Sequence, residues 1–136
     1  MELQPLLIGA GLALAVGVFG TLVGLDRERA FYTTVTVVVA SYYSLFAVLG
    51  GSTRALVVES LVAGAFVAAA AIGFRSSLWV VAIALGGHGV FDFAHGAVIS
   101  NPGLPVYWPA FCAAYDVVAA AYLAWLLTSG RVRAAA

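Results

Sequence analysis

Residues 5–25 read PLLIGAGLALAVGVFGTLVGL and decide the class of protein, because the stretch contains no charged side chain. A helix that crosses the hydrocarbon core of a bilayer needs ~20 consecutive apolar residues. Four further apolar stretches of similar length follow, and none of them alternates apolar and polar residues as the strands of a membrane barrel do. The sequence therefore predicts an all-α integral membrane protein, a five-transmembrane-helix bundle that forms a single domain over residues 1–136. The predicted spans are 5–25, 30–49, 55–74, 78–98 and 107–128.

The composition excludes the soluble classes of protein. Hydrophobic residues make up 64% of the chain and charged residues 9%, whereas an ordinary soluble domain is about 45–50% apolar and about 25% charged. Six acidic residues balance six basic ones, so no field that would recruit nucleic acid is expected. Cys112 is the only cysteine, which excludes an intramolecular disulfide and a zinc site built from thiolates alone.

The arginines predict the orientation of the bundle. Loops that carry an excess of arginine and lysine stay in the cytoplasm. With five spans the two termini lie on opposite sides, so we expect the N-terminus outside, the C-terminus in the cytoplasm, and the loop at 100–106 outside. Arg54 alone falls on the outer side. The arginines predicted on the cytoplasmic side are Arg27, Arg29, Arg75, Arg131 and Arg133.

Small residues form a stripe along the first helix. Gly9, Ala13, Gly17, Gly20 and Gly24 recur at spacings of three or four, so they share one face. Such a stripe lets another helix approach closely in a membrane. Two interpretations remain open: packing within the bundle, and a homodimer face.

Five ionisable side chains lie inside predicted spans, where a charge costs about 2.5–3.5 kcal/mol at the membrane centre. Counted along the helices, all five fall between the outer face and the midplane. We therefore expect a polar cavity that opens to the outer side, walled by helices two to five, with helix one outside it and the Asn-Pro-Gly loop over its mouth. The five residues are Glu59, His88, Asp92, His95 and Asp116.

These side chains are typical metal ligands. His88, Asp92 and His95 follow the spacing i, i+4, i+7 and share one helix face. The two histidines are about 10 Å apart along the axis, so one ion fits either His88 with Asp92, completed by Asp116, or Asp92 with His95, completed by Glu59. One interpretation is therefore a site for a divalent metal such as zinc, with His88, Asp92, His95 and Asp116 as candidate ligands, although the spacing matches no recognised metal-binding signature.

The leading hypothesis is that the cavity binds, and converts by acid–base or metal-assisted chemistry, a small lipophilic molecule. His88 is the candidate proton donor or acceptor, and Asp92 or Asp116 orients it. The alternatives are a proton- or cation-coupled transporter, which needs polar groups that continue past Thr33–Thr36 to the cytoplasmic face, and a hydrogen-bonded network that only clamps helices together. Further candidate ligand-binding residues are Tyr42, Tyr43, Glu59, His95 and Cys112.

Three segments together resemble a family of small bacterial multi-pass membrane proteins of unknown function. They are ERAFYTTVTVVVASYYSLFAVLGG at 28–51, HGVFDFAH at 88–95 and PVYWPAFCAAYD at 105–116. The resemblance covers most of the chain from about residue 28. It implies a bacterial inner-membrane location and a single site that contains His88, Asp92, His95 and Asp116.

Overall fold

The computed structural model describes all 136 residues and is all-helical, as the sequence predicts. Five helices are long and apolar enough to cross a membrane, and a short 3-10 turn at Leu25–Arg27 joins the first two. The number of helices is therefore confirmed. The helices are α1 (Leu3–Val23), α2 (Ala30–Leu49), α3 (Thr53–Arg75), α4 (Leu78–Val98) and α5 (Trp108–Thr128).

Local capping explains where the helix bounds differ from the prediction. α1 ends at Val23, two residues early, because Gly24 adopts a left-handed conformation with φ 92° and donates its N–H to the Gly20 carbonyl. Glycine takes this conformation without steric cost, so it is a common helix terminator. α3 begins at Thr53 because the Ser52 hydroxyl accepts a hydrogen bond from the Ala55 N–H. The bounds of the other three helices agree with the prediction to within one residue.

α1 lies at the edge of the bundle and packs on α5; its backbone stays away from α2, α3 and α4, although the Phe31 ring of α2 reaches Gly20. Its small residues make this packing possible. A Cβ atom added to Gly9 would collide with the Phe111 carbonyl oxygen, and one added to Gly17 would lie 3.1 Å from the Tyr122 ring. The stripe of small residues therefore packs within the chain, which is the first of its two interpretations.

The two ends of the bundle differ in character. The arginine end carries five arginines, and there Arg29 donates hydrogen bonds to the carbonyls of Gly73, Phe74, Arg133 and Ala134, which ties α3 to the C-terminal segment. The loop end is the opposite end and carries the connection 99–107 between α4 and α5.

An apolar core fills the half of the bundle towards the arginine end. Leu78, Val81 and Leu85 of α4 pack there with Leu123 and Leu126 of α5, and all five are buried. The ionisable side chains of α4 follow one turn later, towards the loop end. The sequence order within α4 therefore separates an apolar half of the interior from a polar half.

Candidate functional site: a buried polar cluster

The five ionisable residues predicted from the sequence come together in the half of the bundle towards the loop end. Each is 0–1% exposed. They divide into two groups, which we call the inner trio and the outer pair. The inner trio is His88, Asp92 and Asp116, and the outer pair is Glu59 and His95.

The inner trio is held by short polar contacts. His88 Nδ1 and Asp116 Oδ2 share a hydrogen bond of 2.6 Å. The same nitrogen lies 3.6 Å from Asp92 Oδ2, which is one helical turn further along α4. One ligand atom from each residue lies within 4.8 Å of the others, so the three side chains could hold a metal ion.

The trio exists because α4 and α5 approach closely at Gly89. A Cβ atom on this residue would lie 3.0 Å from the Ala113 carbonyl oxygen and 3.0 Å from Asp116 Cβ, which is tighter than normal packing. A glycine next to His88 thus brings the Asp116 side chain within hydrogen-bond distance. The sequence predicts that Asp116 completes a site with His88 and Asp92, and in the structure the His88 and Asp116 side chains are in contact.

The outer pair lies against the loop that the sequence places over the site. His95 Nε2 donates to Glu59 Oε1 at 2.7 Å. Asn101 Nδ2 donates to the same oxygen at 2.9 Å and to the Tyr43 carbonyl at 3.0 Å. Asn101 was not among the predicted site residues. The only sequence signal for Asn101 is its position in the Asn-Pro-Gly loop. That signal is weak, because turns commonly contain asparagine for purely local reasons.

Tyr43 connects the two groups. Its hydroxyl donates to Asp92 Oδ1 at 2.6 Å, and its ring stacks on the His95 ring with centroids 4.2 Å apart. Tyr42 points elsewhere and packs edge-on against Trp108, with centroids 5.1 Å apart. Of the two predicted tyrosines, Tyr43 therefore belongs to the polar cluster and Tyr42 does not.

The cluster is closed, which differs from the open cavity expected from the sequence. Donors and acceptors of neighbouring helices satisfy one another, and the Phe66 ring packs edge-on against His88 with centroids 4.8 Å apart. Three buried polar atoms of the cluster nevertheless lack a hydrogen-bond partner: Asp92 Oδ2, Asp116 Oδ1 and His95 Nδ1. A buried polar atom without a partner costs about 1–3 kcal/mol, and more when it is charged.

A separate apolar groove of about 680 Å³ lies between α1, α2 and α5. It exists because the backbones of α1 and α2 stay apart, although the Phe31 ring reaches Gly20, so that the two helices leave a gap between them. Apart from Glu28 and Thr34, the lining residues are apolar or aromatic. Two of the predicted ligand-binding residues, Tyr42 and Cys112, line this groove and not the polar cluster.

Cys112 lies at the boundary between the groove and the inner trio. It lines the groove although only 2% of the residue is exposed, and it precedes Asp116 by one turn of α5. The apolar groove and the buried trio are therefore neighbours across a single helix.

Comparisons with known proteins give no assignment for this arrangement. The resemblance to a bacterial membrane family stays a prediction, and the function has to be inferred from the geometry of the chain itself. No protein-family model, curated protein or solved structure matches the chain.

Proposed function

We propose that the protein is a multi-pass membrane protein that binds a small lipophilic molecule in the groove between α1, α2 and α5. The observation that carries this proposal is the groove itself. Its volume of about 680 Å³ falls within the range of about 300–1,000 Å³ that is usual for small-molecule sites. Its apolar lining suits a molecule that partitions into the bilayer.

The shape of the groove favours an elongated hydrocarbon chain. The lining residues of α2 run from Ala30 to Tyr42, a length of about 18 Å along the helix axis. Leu12 and Val38 on the two sides of the groove are 44% and 43% exposed, so a chain can enter sideways from the bilayer. The occupant that fits is one extended acyl or isoprenoid chain.

Two observations favour binding over transport. Apolar side chains, among them Leu85 and Leu123, fill the interior between the inner trio and the arginine end along α4 and α5, and the buried Asp26 near that end bonds locally to Thr21. Thr33 and Thr36 donate to the carbonyls of Arg29 and Tyr32 in their own helix, so they do not extend a polar path. A cation-coupled transporter would need such a path to both faces.

Chemical conversion of the bound molecule would require a rearrangement of the site. His88 and Asp116 would have to become accessible from the groove, and the buried Cys112 now stands at that boundary. Binding requires no such movement, and it is therefore the function that we propose.

Filling the groove with a bulky side chain tests the proposal. Val38→Trp places an indole in the groove, and Val57→Trp is the matched control because Val57 is 54% exposed on α3, outside the groove. After purification in mild detergent and lipid extraction, mass spectrometry should find one lipid species enriched over bulk phospholipid in the wild type and in Val57→Trp. Overpacking costs about 1–3 kcal/mol, so we expect about tenfold less of that species in Val38→Trp. Bulk phospholipid alone, in equal amounts in all three proteins, would contradict the proposal.

We further propose that the protein lies in a bacterial inner membrane with its N-terminus outside and its arginine end in the cytoplasm. The arginine bias supports this orientation. Ser100→Cys and Ser129→Cys place exposed thiols at the loop end and at the arginine end, while the native Cys112 is buried. A membrane-impermeant maleimide should label Ser100→Cys in intact cells and Ser129→Cys only after permeabilisation. The reverse pattern would show the opposite orientation.

A further inference from the structure

We propose that the inner trio is a divalent-cation site for Zn²⁺, with His88 Nδ1 and one carboxylate oxygen each of Asp92 and Asp116 as ligands. This inference goes beyond lipophile binding, since none of these three residues lines the groove. It also reduces the four candidate ligands predicted from the sequence to three. His95 is left out because it lies outside the trio and is hydrogen-bonded to Glu59.

Unpartnered carboxylate oxygens are the first argument. Asp92 Oδ2 and Asp116 Oδ1 have no hydrogen-bond partner, although each residue is at most 1% exposed. Buried carboxylates are normally paired or coordinate a metal. Asp92 Oδ2 already lies 3.6 Å from His88 Nδ1, so this oxygen faces the proposed site.

Charge balance is the second argument, and it separates the two groups. The outer pair contains one carboxylate and one imidazole. When the imidazole is protonated, its positive charge balances the carboxylate and the pair is neutral. The inner trio contains two carboxylates and one imidazole, so the same proton leaves one negative charge in the interior. A divalent cation with a neutral imidazole leaves none, and an uncompensated buried charge is strongly unfavourable.

The distances allow zinc to bind with small side-chain movements. Zinc with bonds of about 2.0–2.1 Å in tetrahedral geometry places its ligand atoms about 3.3 Å apart. The His88–Asp92 separation is 3.6 Å, close to this value, and the His88–Asp116 separation of 2.6 Å must open by about 0.7 Å as zinc replaces the shared proton. The ligand atoms of the three residues all lie within 4.8 Å of one another, so the separation between the Asp92 and Asp116 ligand atoms must shrink by at most about 1.5 Å.

The surroundings of the trio favour zinc over Mg²⁺ and Ca²⁺, which need more ligands. The Tyr43 hydroxyl holds the second oxygen of Asp92, which is the outer-shell support that ligating carboxylates usually have. Mg²⁺ and Ca²⁺ need six or more oxygen ligands, several of them commonly water. The trio offers only three ligand residues, each 0–1% exposed, far short of six; Zn²⁺ held by one nitrogen and two oxygens needs only one further ligand, such as a single water.

Elemental analysis with added zinc as the only probe tests the site. The wild type, purified in detergent, is incubated with excess ZnCl₂ and freed of unbound metal. We expect about one zinc ion per chain in the wild type and in His95→Gln, and about tenfold less in Asp92→Asn and Asp116→Asn. Zinc should also raise the melting temperature of the wild type and of His95→Gln, since a ligand that binds only the folded state stabilises it. It should leave the melting temperature of both asparagine variants unchanged.

Several outcomes would overturn the site. The proposed site is refuted if the wild type retains no zinc under these conditions. It is also refuted if a folded Asp116→Asn variant retains zinc at the wild-type level. Loss of zinc from a folded His95→Gln would show that the three-ligand assignment is wrong. If an asparagine variant does not fold, the absence of any zinc-dependent melting shift in the wild type still refutes the proposal. Val38→Trp should keep its zinc, so failure of lipophile binding and failure of the metal site can be told apart.

Discussion

His88→Leu is expected to destabilise the metal-free protein by about 3 kcal/mol, because it leaves a buried ionic group with one partner removed. Leucine has a similar volume, so packing changes little, but Asp92 and Asp116 then face each other without the imidazole between them. The free energy of unfolding, measured by denaturant titration in mixed micelles, reports the loss.

Neutralising one of the two acids should reverse most of this loss. In His88→Leu/Asp116→Asn the carboxamide keeps the shape of the acid and can donate to Asp92 Oδ2, which lacks a partner in the wild type. We expect the double variant to recover to within about 1 kcal/mol of the wild type. A double variant as unstable as His88→Leu alone would show that lost packing, and not charge, causes the defect.

Gly9→Leu is expected to have an effect of similar size through packing alone. Any Cβ at this position meets the Phe111 carbonyl oxygen, which belongs to the backbone of α5 and cannot rotate away. Because α5 is the helix on which α1 packs, the substitution should push α1 off the bundle. We expect a loss of about 3 kcal/mol, at the upper end of the usual range for overpacking.

Gly11→Leu in the same helix is the matched control. No atom lies within 4 Å of a Cβ added there, and leucine favours a helix over glycine, so stability should stay the same or rise by up to about 1 kcal/mol. Gly9→Leu should also lose the bound lipophile, since Leu12 and Val16 of α1 line the groove. Equal unfolding free energies for the two variants would contradict the packing of α1 on α5.

The sequence predicts the helices and the inner trio for simple physical reasons. Apolar runs of the length of a bilayer locate the helices, and the spacing of four between His88 and Asp92 places them on one face. Capping chemistry sets the end of α1, where Gly24 could equally have continued the stripe of small residues. Its left-handed conformation depends on the turn that follows it.

The closure of the cluster and the position of the groove could not be predicted, because both depend on how helices pair. Whether Tyr42 or Tyr43 faces the polar residues depends on the rotation of α2. Asn101 reaches Glu59 only because the loop folds down against α2, where Gly103 meets the Phe46 carbonyl. The groove follows from the separation of α1 from α2, and helix periodicity does not encode such a gap.

The pairing of α1 with α5 also affects how the chain assembles during synthesis. α1 leaves the ribosome before the other four helices, yet the helix on which it packs, α5, is the last of the five. Contacts between distant parts of a chain form late. The stripe of small residues therefore stays without its partner until α5 is made, and the groove between α1, α2 and α5, which needs all three helices, is the last feature of the bundle to form.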